Sequence, residues 1–215
     1  MKNYTAFLHR YLFRVLLAAA IGYGPTAMGQ IGIKGGLLTP YGDIGQYYKK
    51  TPSFEVFLFN ADEENRYKIR FGYYYANLPI RIDTVPIYAI QYPAVIVLPG
   101  FLVNKTLIMQ GVNSDFSYRV AHLGNLSLFA AAGLCISIGH IESVKQIETV
   151  YTETTNSDTW LGGFRLMASL EYKLSESFDL IADASYNKMV TTDYSADFTH
   201  TTLYFGINYR FIHED

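Results

Sequence analysis

Acyl-transfer chemistry needs a nucleophile, a base to activate it and an acid to orient the base, roles that serine, histidine and aspartate fill. Two histidines have such neighbours in sequence: Ser137 precedes His140, and Asp193, Ser195 and Asp197 precede His200. No motif joins these residues, so only the fold could assemble them. Cys135 is the single cysteine. It excludes an intramolecular disulfide and a multi-cysteine zinc site, and its small, apolar neighbours mark it as packing. His122 sits in a turn sequence and reads as surface. No phosphate-binding glycine loop and no metal-spaced His, Cys, Asp or Glu set is present. Neither a metal nor another cofactor is expected, and no catalytic residue is assigned.

A second set of chemical groups is more regular. Lys34, Glu55, Lys68, Arg70, Asp115, Arg119, Arg165, Glu171, Lys173, Asp179, Asp183 and Arg210 fall at alternate positions inside apolar segments. Charges placed on one face of a strand share that face at a spacing of two residues. If that face is enclosed, opposite charges must pair, because an unpaired buried charge costs several kcal/mol.

The elements that carry these charges read as strands. In 198–211, Thr199, Thr201, Leu203, Phe205, Ile207, Tyr209 and Phe211 alternate with His200, Thr202, Tyr204, Gly206, Asn208 and Arg210. The same period of two recurs at 66–77, 126–140, 160–174 and 178–190, and more weakly at 31–39, 53–60 and 104–120. That makes eight strands. The run Gly32–Gly36 (GIKGG) lies in the first of them and reads as a place where backbones approach closely. Short links at 61–65, 121–125 and 175–177 alternate with longer ones at 40–52, 78–103, 141–157 and 191–197. The pattern predicts an all-β, eight-stranded, antiparallel, up-and-down transmembrane β-barrel with short periplasmic turns and longer extracellular loops.

Composition agrees. Of 215 residues, 50% are hydrophobic, 16% aromatic and only 17% charged, with a net charge of −2. Mean hydropathy is +0.09. Disorder and nucleic-acid binding are excluded as classes. Residues 1–29 read as a secretory signal: Lys2, Arg10 and Arg14 form the basic region, Val15–Tyr23 the apolar core, and Ala27-Met28-Gly29 the cleavage site. Residues 30–215 are then one exported domain beginning at Gln30, and no segment after it is apolar for long enough to cross a bilayer as a helix. The expected location is the bacterial outer membrane.

Alternation alone does not say which face is inside. A soluble lipocalin-like carrier would have an apolar lumen, a membrane barrel an apolar exterior. The aromatics favour the membrane. Tyr67, Tyr118, Tyr172, Phe178, Tyr209 and Phe211 lie toward the short-turn ends of the apolar faces, and Tyr73, Tyr75, Trp160 and Tyr186 toward the long-link ends. Two aromatic girdles around an aliphatic band match the two interfaces of a bilayer.

The glycine-rich first strand (Gly32–Gly36) and the closing Tyr209-Arg210-Phe211 resemble the small eight-stranded outer-membrane barrels of the OmpX and OmpA-barrel type, including PorT-like barrels, over residues 30–211. In that family the closing aromatic often ends the chain, whereas Ile212–Asp215 follow it here. The resemblance implies an integral barrel, and the twelve inward charges, in an interior just wide enough for side chains, imply a filled, salt-bridged lumen. Its work would be structural, adhesive or as an assembly partner. The expected partners are outer-membrane lipid or lipopolysaccharide and a protein bound through the apolar, proline-bearing link 78–103. That link either extends the neighbouring strands, folds over the mouth or docks on a partner. The barrel is expected to be monomeric. The alternatives are a lipid-modifying barrel enzyme using His140 or His200, and the soluble carrier.

Overall fold

A computed structural model describes residues 30–60, 66–81, 84–91, 96–147, 151–191 and 197–211. The signal-like segment 1–29 and the turn 61–65 lie outside the described residues. The strands are β1 (Gln30–Tyr41), β2 (Thr51–Phe59), β3 (Tyr67–Pro79), β4 (Thr84–Gln91), β5 (Ile96–Leu123), β6 (Leu126–Ile147), β7 (Tyr151–Lys173), β8 (Phe178–Thr191) and β9 (Asp197–Arg210), with one short helix, α1 (Gly42–Tyr47).

Every neighbouring pair is antiparallel. β1 pairs with both β2 and β9, and the pairing of β3 with β5 closes the wall. Eight strands therefore form the barrel. β4 stands outside it and pairs, among the described residues, with β5 alone. Closure pairs backbone groups that an open sheet would leave as edges.

The two faces separate by chemistry. Leu134 is 69% exposed and Phe205 62%, and Ile33, Val120, Ile136, Leu166 and Ile207 join them on the outer surface. A continuous apolar exterior of this extent is out of place in water, because it forfeits about 25 cal/mol for each Å² left exposed. It suits a bilayer. The inner face holds the charges, so the inverted arrangement of a soluble carrier is not the one adopted.

Several connections differ from the sequence expectation. The link at 121–125 shrinks to a tight hairpin, because β5 runs on to Leu123 opposite Leu126. Gly124 takes φ +57 there, a left-handed conformation that glycine adopts without strain. Link 141–157 is mostly strand: β6 continues to Ile147 and pairs through to Tyr151 of β7. Link 78–103 contains β4 and the first part of β5, joined as a hairpin from Thr84↔Val103 to Gln91↔Ile96. Apolar and polar residues do not alternate cleanly in these segments, so period two does not mark them.

Among the described residues, the connection between β1 and β2 covers the mouth. Tyr48 N–H donates to Ile44 O (3.0 Å), Lys49 N–H to Pro79 O (2.8 Å) and Arg81 N–H to Tyr47 O (2.6 Å), and Tyr48 bridges Ile80. This stitches α1 and its flank to the end of β3. Beneath it lies a buried apolar cluster of Leu38, Tyr48, Tyr74, Ala76, Leu78, Leu107, Met109, Cys135, Leu161, Met189 and Phe198, with Ile44 and Ile80 packed against it. The outer part of the lumen is thus oily rather than charged.

Candidate functional site

Below the apolar cap the inward positions of six strands bring their charges together. Lys34 on β1 donates to Asp183 Oδ2 on β8 at 2.6 Å and lies 3.0 Å from Glu55 Oε1 on β2. Arg70 on β3 donates to the same Asp183 oxygen at 2.8 Å and reaches Glu171 on β7 at 3.6 Å. Lys68 bonds Glu171 at 2.5 Å. Arg165 on β7 donates to Glu55 Oε2 at 3.2 Å and approaches Asp115 on β5 at 3.5 Å.

These contacts form one chain of alternating sign: Asp115, Arg165, Glu55, Lys34, Asp183, Arg70, Glu171, Lys68. Acids and bases balance along it. The pairing offsets the desolvation that isolated charges would suffer in so enclosed a space. Nearer the periplasmic end, Arg210 holds Asp179 through two nitrogens, Nε at 2.9 Å and Nη2 at 2.6 Å. Arg119 and Lys173 occupy half-buried inward positions on the same side.

Aromatic rings pack between the charges. Lys68 Nζ lies 4.2 Å from the centroid of Phe129 and 5.2 Å from Phe59. Arg70 and Lys34 sit 4.6 Å and 4.9 Å from the Phe57 ring, and Lys34 also 5.5 Å from Tyr204. Such cation–π contacts add about 0.5–2 kcal/mol each where water is excluded. Phe57 and Phe59 were not singled out in the sequence, although they stand two and four residues from Glu55 on the same face, and Tyr204 shares its face with Arg210. Their parity was the available signal.

The ten girdle aromatics all project outward. Tyr67 stacks on Phe116 (5.5 Å between centroids) and meets Tyr118 (5.3 Å), and Tyr209 meets both Phe178 and Phe211 at 5.2 Å. Tyr172 lies on the same rim, opposite Leu126. At the other rim Tyr75 stacks on Phe54 (5.5 Å), Tyr186 meets Phe164 (6.4 Å), and Tyr73 Oη donates to Gln110 Oε1 at 3.1 Å. Trp160 is half exposed on the outer surface opposite Ile138.

Among the described residues, His140 and His200 are not brought together. His200 faces the lumen and is buried, packed edge-on against Phe198. His140 faces outward, with Nδ1 2.5 Å from Asp158 Oδ1, its cross-strand partner. Ser137 is buried and hydrogen-bonds the Tyr74 hydroxyl. The two histidines therefore lie on opposite faces of the wall, because their offsets from the inward positions differ by one residue. Asp193 and Ser195 lie outside the described residues. His122 is exposed and contacts Ser127 Oγ at 2.9 Å. Cys135 is buried in the apolar cluster.

Above the rim three wall strands keep going. β5 and β6 stay paired as far as Gly100↔Ile147, and β6 and β7 as far as Ile147↔Tyr151. β3 ends opposite Thr106, and β8 meets β7 only from Leu161 onward. With β4 added, a four-stranded sheet projects from one side of the mouth. Its edges are β4 and Tyr151–Trp160 of β7, neither of which has a second strand partner among the described residues.

No protein-family model and no curated protein sequence matches the chain. Among solved structures, Neisserial surface protein A superposes with a TM-score of 0.55 at 11% identity, over 85% of this chain and 96% of that one. The chain has the outer-membrane β-barrel fold. A major outer membrane protein of Thermus thermophilus aligns at 12% identity with a TM-score of 0.46, over 85% of this chain and 99% of its own. The attachment invasion locus protein Ail of Yersinia pestis aligns at 16% identity with a TM-score of 0.43 over the same shares.

Proposed function

We propose that the protein is an integral outer-membrane barrel that conducts nothing and presents its projecting sheet as a docking or adhesive surface. The lumen supports the first half of this reading. It is occupied in turn by the Arg210–Asp179 pair, the alternating charge chain and the apolar cap under α1. Eight strands enclose an interior just wide enough for side chains to fill.

The observation that carries the second half is the edge of β7 that has no second strand partner among the described residues. Ten residues, Tyr151–Trp160, pair with β6 on one side and with no described strand on the other. At about 3.3 Å per residue the edge runs for roughly 30 Å. It is rich in threonine and contains no proline, whereas the opposite edge, β4, carries Pro86. A strand edge of that composition is a template to which an extended partner segment can add. Outer-membrane lipid, including lipopolysaccharide, surrounds the girdled wall, and the barrel acts as a monomer. An enzymatic role receives no support from the placement of His140 and His200.

Removing 84–100 tests the reading. The wall pairing of β3 with β5 starts at Pro79↔Thr106, outside the deletion. The trimmed protein should still give a compact band that shifts on boiling. It should lose a cross-linked partner that the full chain captures from outer-membrane extract. Equal capture by both refutes docking through the β4 edge, and unchanged capture by a Thr154→Pro, Thr155→Pro variant that still gives the heat-shifted band refutes docking on the β7 edge.

A further inference from the structure

Between the charge chain and the apolar cap the lumen contains a void of about 10 Å³ whose lining includes Tyr74, Asn113, Arg165, Asn187, His200 and Tyr204. Most of its polar groups are satisfied elsewhere. Ser53 Oγ donates to the Tyr204 hydroxyl at 2.8 Å, Asn187 Nδ2 donates to Ser185 Oγ at 3.0 Å, and Tyr74 bonds Ser137. Glu55 Oε1, also in the lining, is held by Lys34 Nζ at 3.0 Å, which leaves three atoms over. His200 Nδ1, Asn113 Oδ1 and Arg165 Nε meet no hydrogen-bond partner among the described residues. His200 is 2% exposed, Asn113 4% and Arg165 3%. They come from three different strands, β9, β5 and β7.

Buried polar atoms in folded proteins are satisfied by protein or by ordered water. A water needs a space of roughly 10–15 Å³ and two to four polar partners. This void meets both conditions, and it is too small for an organic ligand. We infer that one ordered water is built into the lumen here and bridges His200, Asn113 and Arg165. Arg165 Nε–H donates to the water oxygen. The two water hydrogens go to Asn113 Oδ1 and His200 Nδ1, so His200 must carry its own proton on Nε2. The apolar cluster lies above the site and the Arg165–Glu55 and Lys34–Glu55 pairs lie below it, and the three atoms themselves are out of contact with solvent. Exchange with bulk water then requires local opening of the barrel, so the water is long-lived.

The test is nuclear magnetic resonance of the isotopically labelled protein in lipid nanodiscs. Water-selective Overhauser spectra should show a cross-peak at the Asn113 side-chain amide with the sign of a water that tumbles with the protein. The His200 nitrogen shifts should report the Nε2–H tautomer. His200→Phe, which fills the void with an apolar ring, should remove the cross-peak while the heat-shifted band persists. If that variant does not fold, Asn113→Leu replaces it, with the cross-peak then sought at His200. Absence of the wild-type cross-peak, an Nδ1–H tautomer, or a cross-peak undiminished in the folded variant overturns the inference.

Discussion

Asp183 stands between two cations in the lumen, and its removal tests the charge chain directly. Its carboxylate takes Lys34 at 2.6 Å and Arg70 at 2.8 Å, and all three side chains are almost wholly enclosed. Removing one partner from a buried ion pair costs about 3–5 kcal/mol, because the other charge is stranded. Here the stranding is partial, since Lys34 keeps Glu55 at 3.0 Å and Arg70 keeps Glu171 at 3.6 Å. The expected loss for Asp183→Ala is therefore near the lower bound, about 3 kcal/mol, or roughly a hundredfold in the folded-to-unfolded ratio. The assay is urea unfolding in lipid vesicles, read by tryptophan emission and by gel mobility. The midpoint should fall with little change in slope. Adding Lys34→Met rebalances the chain, and Glu55 is left with Arg165 at 3.2 Å. The double variant should recover about 1 kcal/mol or more, as replacements of whole buried pairs do. A single variant within about 0.5 kcal/mol of wild type would refute the reasoning. So would a double variant whose loss is the plain sum of the two single losses.

Reconstituted in a planar bilayer, the protein should show no discrete single-channel openings; reproducible steps would contradict the filled lumen. Trp160, the single tryptophan, should shift to the blue on insertion into vesicles. It should be quenched more strongly by bromines placed near the headgroup than by bromines at the bilayer centre; the reverse order would move the outer girdle. Gly36→Ala should lower the fraction of compact, heat-shifted protein, because a Cβ there would lie 1.8 Å from the backbone oxygen of Leu203 across the β1–β9 seam. Unchanged folding yield would mean that the seam has slack.

The wall was legible from the residues because alternation is local. A strand turns successive side chains to opposite faces wherever it lies in a barrel, so Leu203, Phe205 and Ile207 could be assigned to one surface and Tyr204 and Asn208 to the other without knowing any partner. The same parity placed Lys34, Arg70, Asp115 and Asp183 on one enclosed side. The extensions of β5, β6 and β7 beyond the rim were harder to see. Apolar and polar residues do not alternate cleanly there, so 141–147 and 151–157 read as loop although their backbone is strand. His140 and His200 show the opposite failure. His140 has Ser137 nearby in sequence and His200 has Asp193, Ser195 and Asp197, yet the two histidines end on different faces of the wall.

What the sequence determined by itself is the period, the sidedness of each strand and the apolar belt with its aromatic margins. All of these depend on residues two apart. What only the tertiary structure decided is who meets whom across the lumen. Lys34 and Asp183 are 149 positions apart and touch because closure brings β1 and β8 within reach of one interior. The oily cap under α1 is of the same kind. Leu38, Leu78, Leu107 and Phe198 lie on four strands, and nothing local to any one of them says that their inward positions stand at the same height. Register and strand tilt set that height, and both are fixed only when the barrel closes.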